Sequence, residues 1–192
     1  MMSSLSEPIL QALQFEALSW ANGPASDEPF YQVPDGASKA IPGSILKVET
    51  DTDTSKYLLP PATAMTRFIY QPENLTESPV PASAFIHWPY SPKAQADGCA
   101  VIDWAHGTSG CSVNSAPSNH QTLWQHFLAP FQLAAQGYVV VGTDYAGIGV
   151  HKHESGEPLV HQYLASPSHA NDVVYAVQAA QRAFPELRTL LL

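Results

Sequence analysis

The residues best placed to do chemistry are Trp104-Ala105-His106-Gly107-Thr108-Ser109-Gly110, at the end of an apolar run, 99–105, that reads as a buried strand. A strand that ends in His-Gly and passes into a loop of small residues can build one half of an oxyanion hole. In acyl transfer, negative charge develops on a carbonyl oxygen, and a backbone N–H aimed at it is worth about 3 kcal/mol. Gly107 and Thr108 are the expected backbone donors, because small residues let the chain approach closely. Read alone, His-Gly fits an ordinary strand-to-loop turn equally well. Its position after a buried strand tips the reading toward chemistry.

The second group is Asp144-Tyr145-Ala146-Gly147-Ile148-Gly149, after the apolar run 138–143. Its glycines do not open a helix at once, as a dinucleotide fingerprint requires, so no nucleotide cofactor is read here. Such a loop shapes a pocket mouth at the carboxyl ends of strands. His106, Asp144, Tyr145 and Gly147 are the expected pocket-shaping residues.

Three other constellations compete. Gly107-Thr108-Ser109-Gly110-Cys111 is one residue away from a Gly-x-Ser-x-Gly elbow, but no helix starts after Ser109. Asp103, His106 and Ser109 resemble a small triad, yet Asp103 and His106 project to opposite faces if the strand runs that far. His151-Lys152-His153-Glu154, with His161 nearby, offers imidazoles at i and i+2. Spacing fixes no third ligand, so a solvated loop is expected and no metal is assigned. Cys99 and Cys111 cannot make a zinc framework. They are read as two small buried residues, with a disulfide as the alternative in an oxidising compartment. Asn74-Leu75-Thr76 is a glycosylation sequon, relevant only to an exported chain.

The bulk numbers bound the partners. Seventeen acidic against eight basic residues give a net charge of −9. The basic residues do not cluster, so a nucleic-acid partner is not expected. No apolar run is long enough to span a bilayer. The segment 1–8 has no basic stretch followed by an apolar one, so no signal peptide is read there. With 192 residues and 45% apolar content, a single domain, 1–192, is expected.

The elements that must position these residues follow from periodicity. A short helix is expected over 7–21, capped by Ser6 with Pro8 in its first turn. Residues 22–43 are an irregular arm. Residues 44–49, 64–71 and 82–88 read as strands, the last two as an antiparallel pair. The runs 99–105 and 138–143 read as strands covered on both faces. A helix is expected over 121–136, kinked or divided at Pro130, with Gly137 at its C′ position. A second helix is expected from Ser166 as cap to Phe184, with Val173, Val177, Ala180 and Phe184 on one face. Residues 187–192 open a further strand. Strand, helix, strand, helix, strand implies parallel pairing in the C-terminal half, with antiparallel strands at the N-terminal edge.

This mixed sheet, with the two loops, resembles the start of an α/β-hydrolase, and four stretches resemble the secretory-lipase family. They are Asp27-Glu28-Pro29-Phe30-Tyr31 with Pro42-Gly43-Ser44-Ile45-Leu46, the motif from Trp104, the motif from Asp144, and His161-Gln162-Tyr163-Leu164 leading into Asn171-Asp172-Val173. The resemblance implies an α/β fold and hydrolysis of acylglycerols or other carboxylic esters in lipid catabolism, by an extracellular enzyme. It also implies a nucleophile in a Gly-x-Ser-x-Gly elbow, followed by acid and then base. No such elbow occurs in these residues. The three catalytic groups are therefore expected beyond residue 192, and the domain is expected to be incomplete and inactive alone. A non-catalytic binding or regulatory protein is the alternative, and an active enzyme using Ser109 is a third. An incomplete sheet leaves an open apolar edge, from which self-association is expected.

Overall fold

The structure is a computed structural model that describes residues 6–49, 51–95, 98–110, 112–124, 129–187 and 189–190. Among the described residues, seven strands form one mixed sheet. β1 (Ile45–Glu49) and β2 (Thr63–Tyr70) pair antiparallel, and β2 pairs antiparallel with β3 (Ala82–Pro89) from Thr63↔Pro89 to Tyr70↔Ala82. β4 (Ala94–Gln95) forms a short hairpin with β5 (Gly98–Trp104). β6 (Val139–Thr143) lies antiparallel to β3 and parallel to β5. β7 (Thr189–Leu190) pairs parallel with β5 through Ala100↔Thr189 and Val101↔Leu190. The order is β1-β2-β3-β6-β5-β4, with β7 also against β5. β1, β2, β3 and β6 thus pair antiparallel on one side, and β5 pairs parallel with β6 and β7 on the other, as the element pattern predicts, while the short antiparallel β4 beside β5 was not expected.

Alternation of side chains decides which residues meet which layer. On one face, Phe68, Tyr70, Ala84, Ile86, Val139 and Val141 pack against α3 (Ser166–Ala183), whose Ala176, Val177, Ala179 and Ala180 are buried. On the other, Met65, Phe85 and Val140 pack with Trp104 and Leu123, and with Phe131 and Leu133 of α2 (Pro130–Ala135). β6 is buried at every position, as an apolar strand covered on both faces should be. Gly142 lies opposite Phe85 in this register. A Cβ there would come within 2.6 Å of the Phe85 ring, so the glycine makes room for its cross-strand partner.

Three helix expectations need correction. The helix expected over 121–136 is the six-residue α2, and Pro130 lies in its first turn. Leu123 and Trp124 have φ of 51° and 44°, which no α-helix accommodates, and residues 125–128 lie outside the described part. Proline suits a helix start because it has no N–H to leave unpaired there. α1 spans Glu7–Ala17 rather than reaching 21, because Ala21 N–H bonds Asn119 O and Gln121 N–H bonds Ser19 O in an extended pairing. Ser6 takes the cap position of α1, but its side chain makes no capping bond. Ser166 is helical, with Ala165 at the cap position. Gly137 takes φ of 89° after α2, as expected of a C′ glycine. Among the described residues no helix is long and apolar enough to cross a membrane.

Candidate functional site

The ends of β5 and β6 and the start of α3 meet around a pocket of about 200 Å³. Its lining includes His106, Gly107, Thr108, Ser109, Tyr145, His161 and His169. Three of the expected residues, Gly107, Thr108 and His106, come from the loop after β5. His106 turns inward and is 5% exposed, while Ala105 before it faces solvent. Its Nδ1 donates to Gly107 O at 2.6 Å. That bond fixes the Gly107–Thr108 peptide plane, and a trans peptide then turns the Thr108 N–H away from the imidazole. Among the described residues, no backbone N–H from Gly107 to Gly110 donates to another protein group. Gly110 takes φ of 146°, and a Cβ there would collide with Ser115, so the loop needs its glycine.

The loop after β6 supplies the rest. Tyr145 lines the pocket and donates its hydroxyl to His106 O at 3.0 Å. Asp144 lies beneath the pocket instead of on its wall, and is completely buried. Its carboxylate accepts from the Ser83 hydroxyl at 2.6 Å, from the Ser118 hydroxyl, and from Ser118 N–H at 2.8 Å. Tyr31 in turn donates to Ser118 Oγ at 2.7 Å, since the serine proton is already engaged. Burial pushes Asp144 up, and the two serine bonds pull against it. Asp144 therefore ties β3, the end of β6 and the loop around Ser118 together. Gly147 also lies outside the pocket lining. At φ of 87° it lets Val160 and His161 cross over it, where a Cβ would collide with their backbone. That crossing delivers His161, whose Nδ1 donates to Ala146 O at 2.9 Å.

His169 was not visible in the sequence as a site residue. It lies one turn into α3, and its ring stacks on Tyr145 at 4.7 Å and on His161 at 5.3 Å. Asp172, three residues on, accepts from Ala146 N–H at 3.2 Å and is 1% exposed. A His and a core-facing Asp at i and i+3 in the first turns of an amphipathic helix were the available signal.

The electrostatics favour neutral groups. Burial pulls His106 down to about 4, and the neighbouring His161 and His169 add to the fall. His169 is lowered by burial and then by His161. Burial raises Tyr145 to about 12, so its hydroxyl remains a donor at neutral pH. Asp103 and Asp172 are each raised by burial to about 7, opposed by one backbone N–H apiece.

Other constellations do not assemble. Among the described residues no hydrogen bond joins Asp103, His106 and Ser109, and Ser109 Oγ is buried with no partner. His151 and His153 line a separate pocket from His161. Glu154 is engaged by Gly36 N–H and Ser38 N–H at 2.6 and 2.8 Å. No group of three or more His, Cys, Asp or Glu among the described residues converges as a metal site. Cys99 is a free thiol, and Cys111 lies outside the described residues. Asn74 Oδ1 accepts from Thr76 and Ser78 N–H and so builds its own turn.

No protein-family profile matches the sequence, and a search of curated proteins finds no match. Solved structures do match. Lipase A from Candida antarctica in its closed state aligns with a TM-score of 0.61 at 16% identity, over 85% of this chain and 37% of that one. A second structure of the same lipase gives 0.59 at 18% identity, over the same shares. The rice cell wall degrading esterase LipA from Xanthomonas oryzae gives 0.52 at 23% identity, over 78% of this chain and 40% of that one. The chain thus spans about two fifths of the length of the lipase and esterase structures it matches. What the likeness shows is the fold: the mixed sheet and its helices match the architecture of part of those lipases and esterases.

Proposed function

We propose that this chain is the oxyanion-building part of a serine ester hydrolase resembling secretory triacylglycerol lipases, acting on acylglycerols or other carboxylic esters. One observation carries the reading. Among the described residues, the N–H groups of the 107–110 loop have no protein acceptor, and they lie at a strand end beside a pocket walled by imidazole and tyrosine rings. In this fold one oxyanion donor comes from such a loop, and the other from the residue after the nucleophilic serine. These residues hold no Gly-x-Ser-x-Gly, so serine, acid and base are placed beyond residue 192 and the chain alone is inactive. A small tetrahedral anion probes the cradle directly. Ethyl phosphonate added to the purified chain is expected to shift the amide signals of Gly107, Thr108 and Ser109 before any others. Shifts confined to other parts of the chain would remove the oxyanion assignment.

The same proposal includes self-association. Among the described residues, no strand pairs the outer side of β5 from Ile102 to Trp104, and a strand edge of this kind pairs with other chains. Elution volume on size exclusion should fall as protein concentration rises. A monomer at every concentration would count against it.

A further inference from the structure

Leu164 is strained and exposed at once. It takes φ of 60°, a left-handed conformation that disfavours a side chain with a Cβ. Leu123 takes φ of 51°, and its complete burial beside Trp104 offsets the strain. Leu164 gains no such burial, because it is 76% exposed. Asparagine adopts this conformation more readily and suits solvent better. Strain of this kind persists where the surroundings over-determine it, and it gathers at ligand sites.

The chain around Leu164 is pinned on several sides. His161 Nδ1 donates to Ala146 O, and Leu75 N–H donates to Gln162 Oε1 at 2.8 Å. Ala165 N–H donates to Gln162 O and Ser166 N–H to Leu164 O, each at 3.1 Å. The Tyr163 hydroxyl lies 3.3 Å from Thr108 Oγ1. These bonds fix one path for residues 161–166 and bring Tyr163 and Leu164 beside the 107–110 loop.

The pocket mouth therefore has two lips. Of the lining residues, Gly107 and Thr108 are exposed on one, and Tyr163 and Leu164 on the other; the Thr108–Tyr163 contact joins them. Buried Ile148 adds to the apolar lining. The volume of about 200 Å³ lies below the range for drug-sized ligands. An ester whose carbonyl sits at the loop N–H groups must send a longer chain out through the mouth. The apolar lip is the surface that chain meets, and contact there removes apolar area of both from water.

Resting on the ester-hydrolase reading, we infer that Tyr163 and Leu164 form the subsite for an aliphatic chain of the ester and set a preference for medium-length over short chains. Val160 is the internal comparison. It lies in the same segment and is 77% exposed, but it does not line the pocket.

The test titrates ethylphosphonate and hexylphosphonate into the purified chain and follows backbone amide, methyl and ring signals by NMR. A half-buried methylene is worth about a twofold gain in affinity, so the hexyl compound is expected to bind about tenfold more tightly. It should also shift the Leu164 methyl and Tyr163 ring signals, which the ethyl compound leaves in place. Leu164→Asn should cut the hexyl advantage below about threefold while keeping or raising stability in urea, since it relieves the backbone. Val160→Asn should keep the full advantage. Equal affinity of the two compounds, both shifting Gly107, Thr108 and Ser109, overturns the inference and leaves the ester reading standing. Neither compound shifting those amides overturns both. An advantage that survives Leu164→Asn, or falls equally in Val160→Asn, overturns the subsite. A Leu164→Asn chain less stable than the native one would show that the leucine serves the fold, and also overturns it.

Discussion

Tyr145 holds φ of 66°, where a side chain with a Cβ pays on the order of 1–2 kcal/mol. Its neighbours over-determine that conformation. Its N–H donates to Thr143 Oγ1 at 3.0 Å, its hydroxyl to His106 O, and its ring packs on His106 and His169. Tyr70 donates to Asp172 O at 2.8 Å, so the Thr143 hydroxyl donates to Tyr70 across 2.6 Å. The network ends on Asp172, whose folded value near 7 lies above the roughly 3.9 of an unfolded aspartate. The folded state then binds the extra proton between those values. Its contribution is fully present below about pH 4 and is lost as pH rises through about 7. Asp172→Asn keeps the acceptor for Ala146 N–H and removes the charge. It should raise stability over the native chain by on the order of 2 kcal/mol at pH 8, with the gain gone at pH 4, read by urea unfolding at both. A gain independent of pH would disprove the assignment. At this scale the sequence showed which residue types could do chemistry, since His106, Gly107, Thr108 and Tyr145 do meet at one pocket. It did not show Ser83 and Ser118 closing on Asp144, because those bonds depend on chain crossings no local pattern encodes.

Among elements, the strands were legible because alternation and β-branched runs follow directly from the pleat. The loops between them were not. His161 reaches the site only because residues 160–161 cross Gly147. Gly147→Ala should therefore cost about 2 kcal/mol or more in urea unfolding, combining the left-handed backbone with a steric collision. Gly156 has nearly the same φ, 86°, with nothing within 4 Å of a Cβ. Gly156→Ala should cost only about 1 kcal/mol. Equal costs would show that the crossing does not constrain the site. The over-long helix reading failed for a related reason. Leu123 and Trp124 share the apolar spacing of a helix, but Leu123 is buried beside Trp104 from a left-handed turn. Periodicity records burial, and a buried turn can imitate a helix face.

At the scale of the molecule, the order of antiparallel then parallel strands was legible, and the solved lipase structure aligns with the same chain at a TM-score of 0.61. Two buried faces, one under α3 and one under α2, hold the ends of β5 and β6 side by side, and the two pocket loops start there. Under the proposed function this chain supplies the oxyanion side of the reaction, and the nucleophile comes from elsewhere. The most direct measurement is hydrolysis of p-nitrophenyl butyrate by the purified chain beside its Ser109→Ala variant. No turnover above buffer is expected in either. Turnover by the native chain that disappears in Ser109→Ala would contradict it and make the 107–110 loop the catalytic centre.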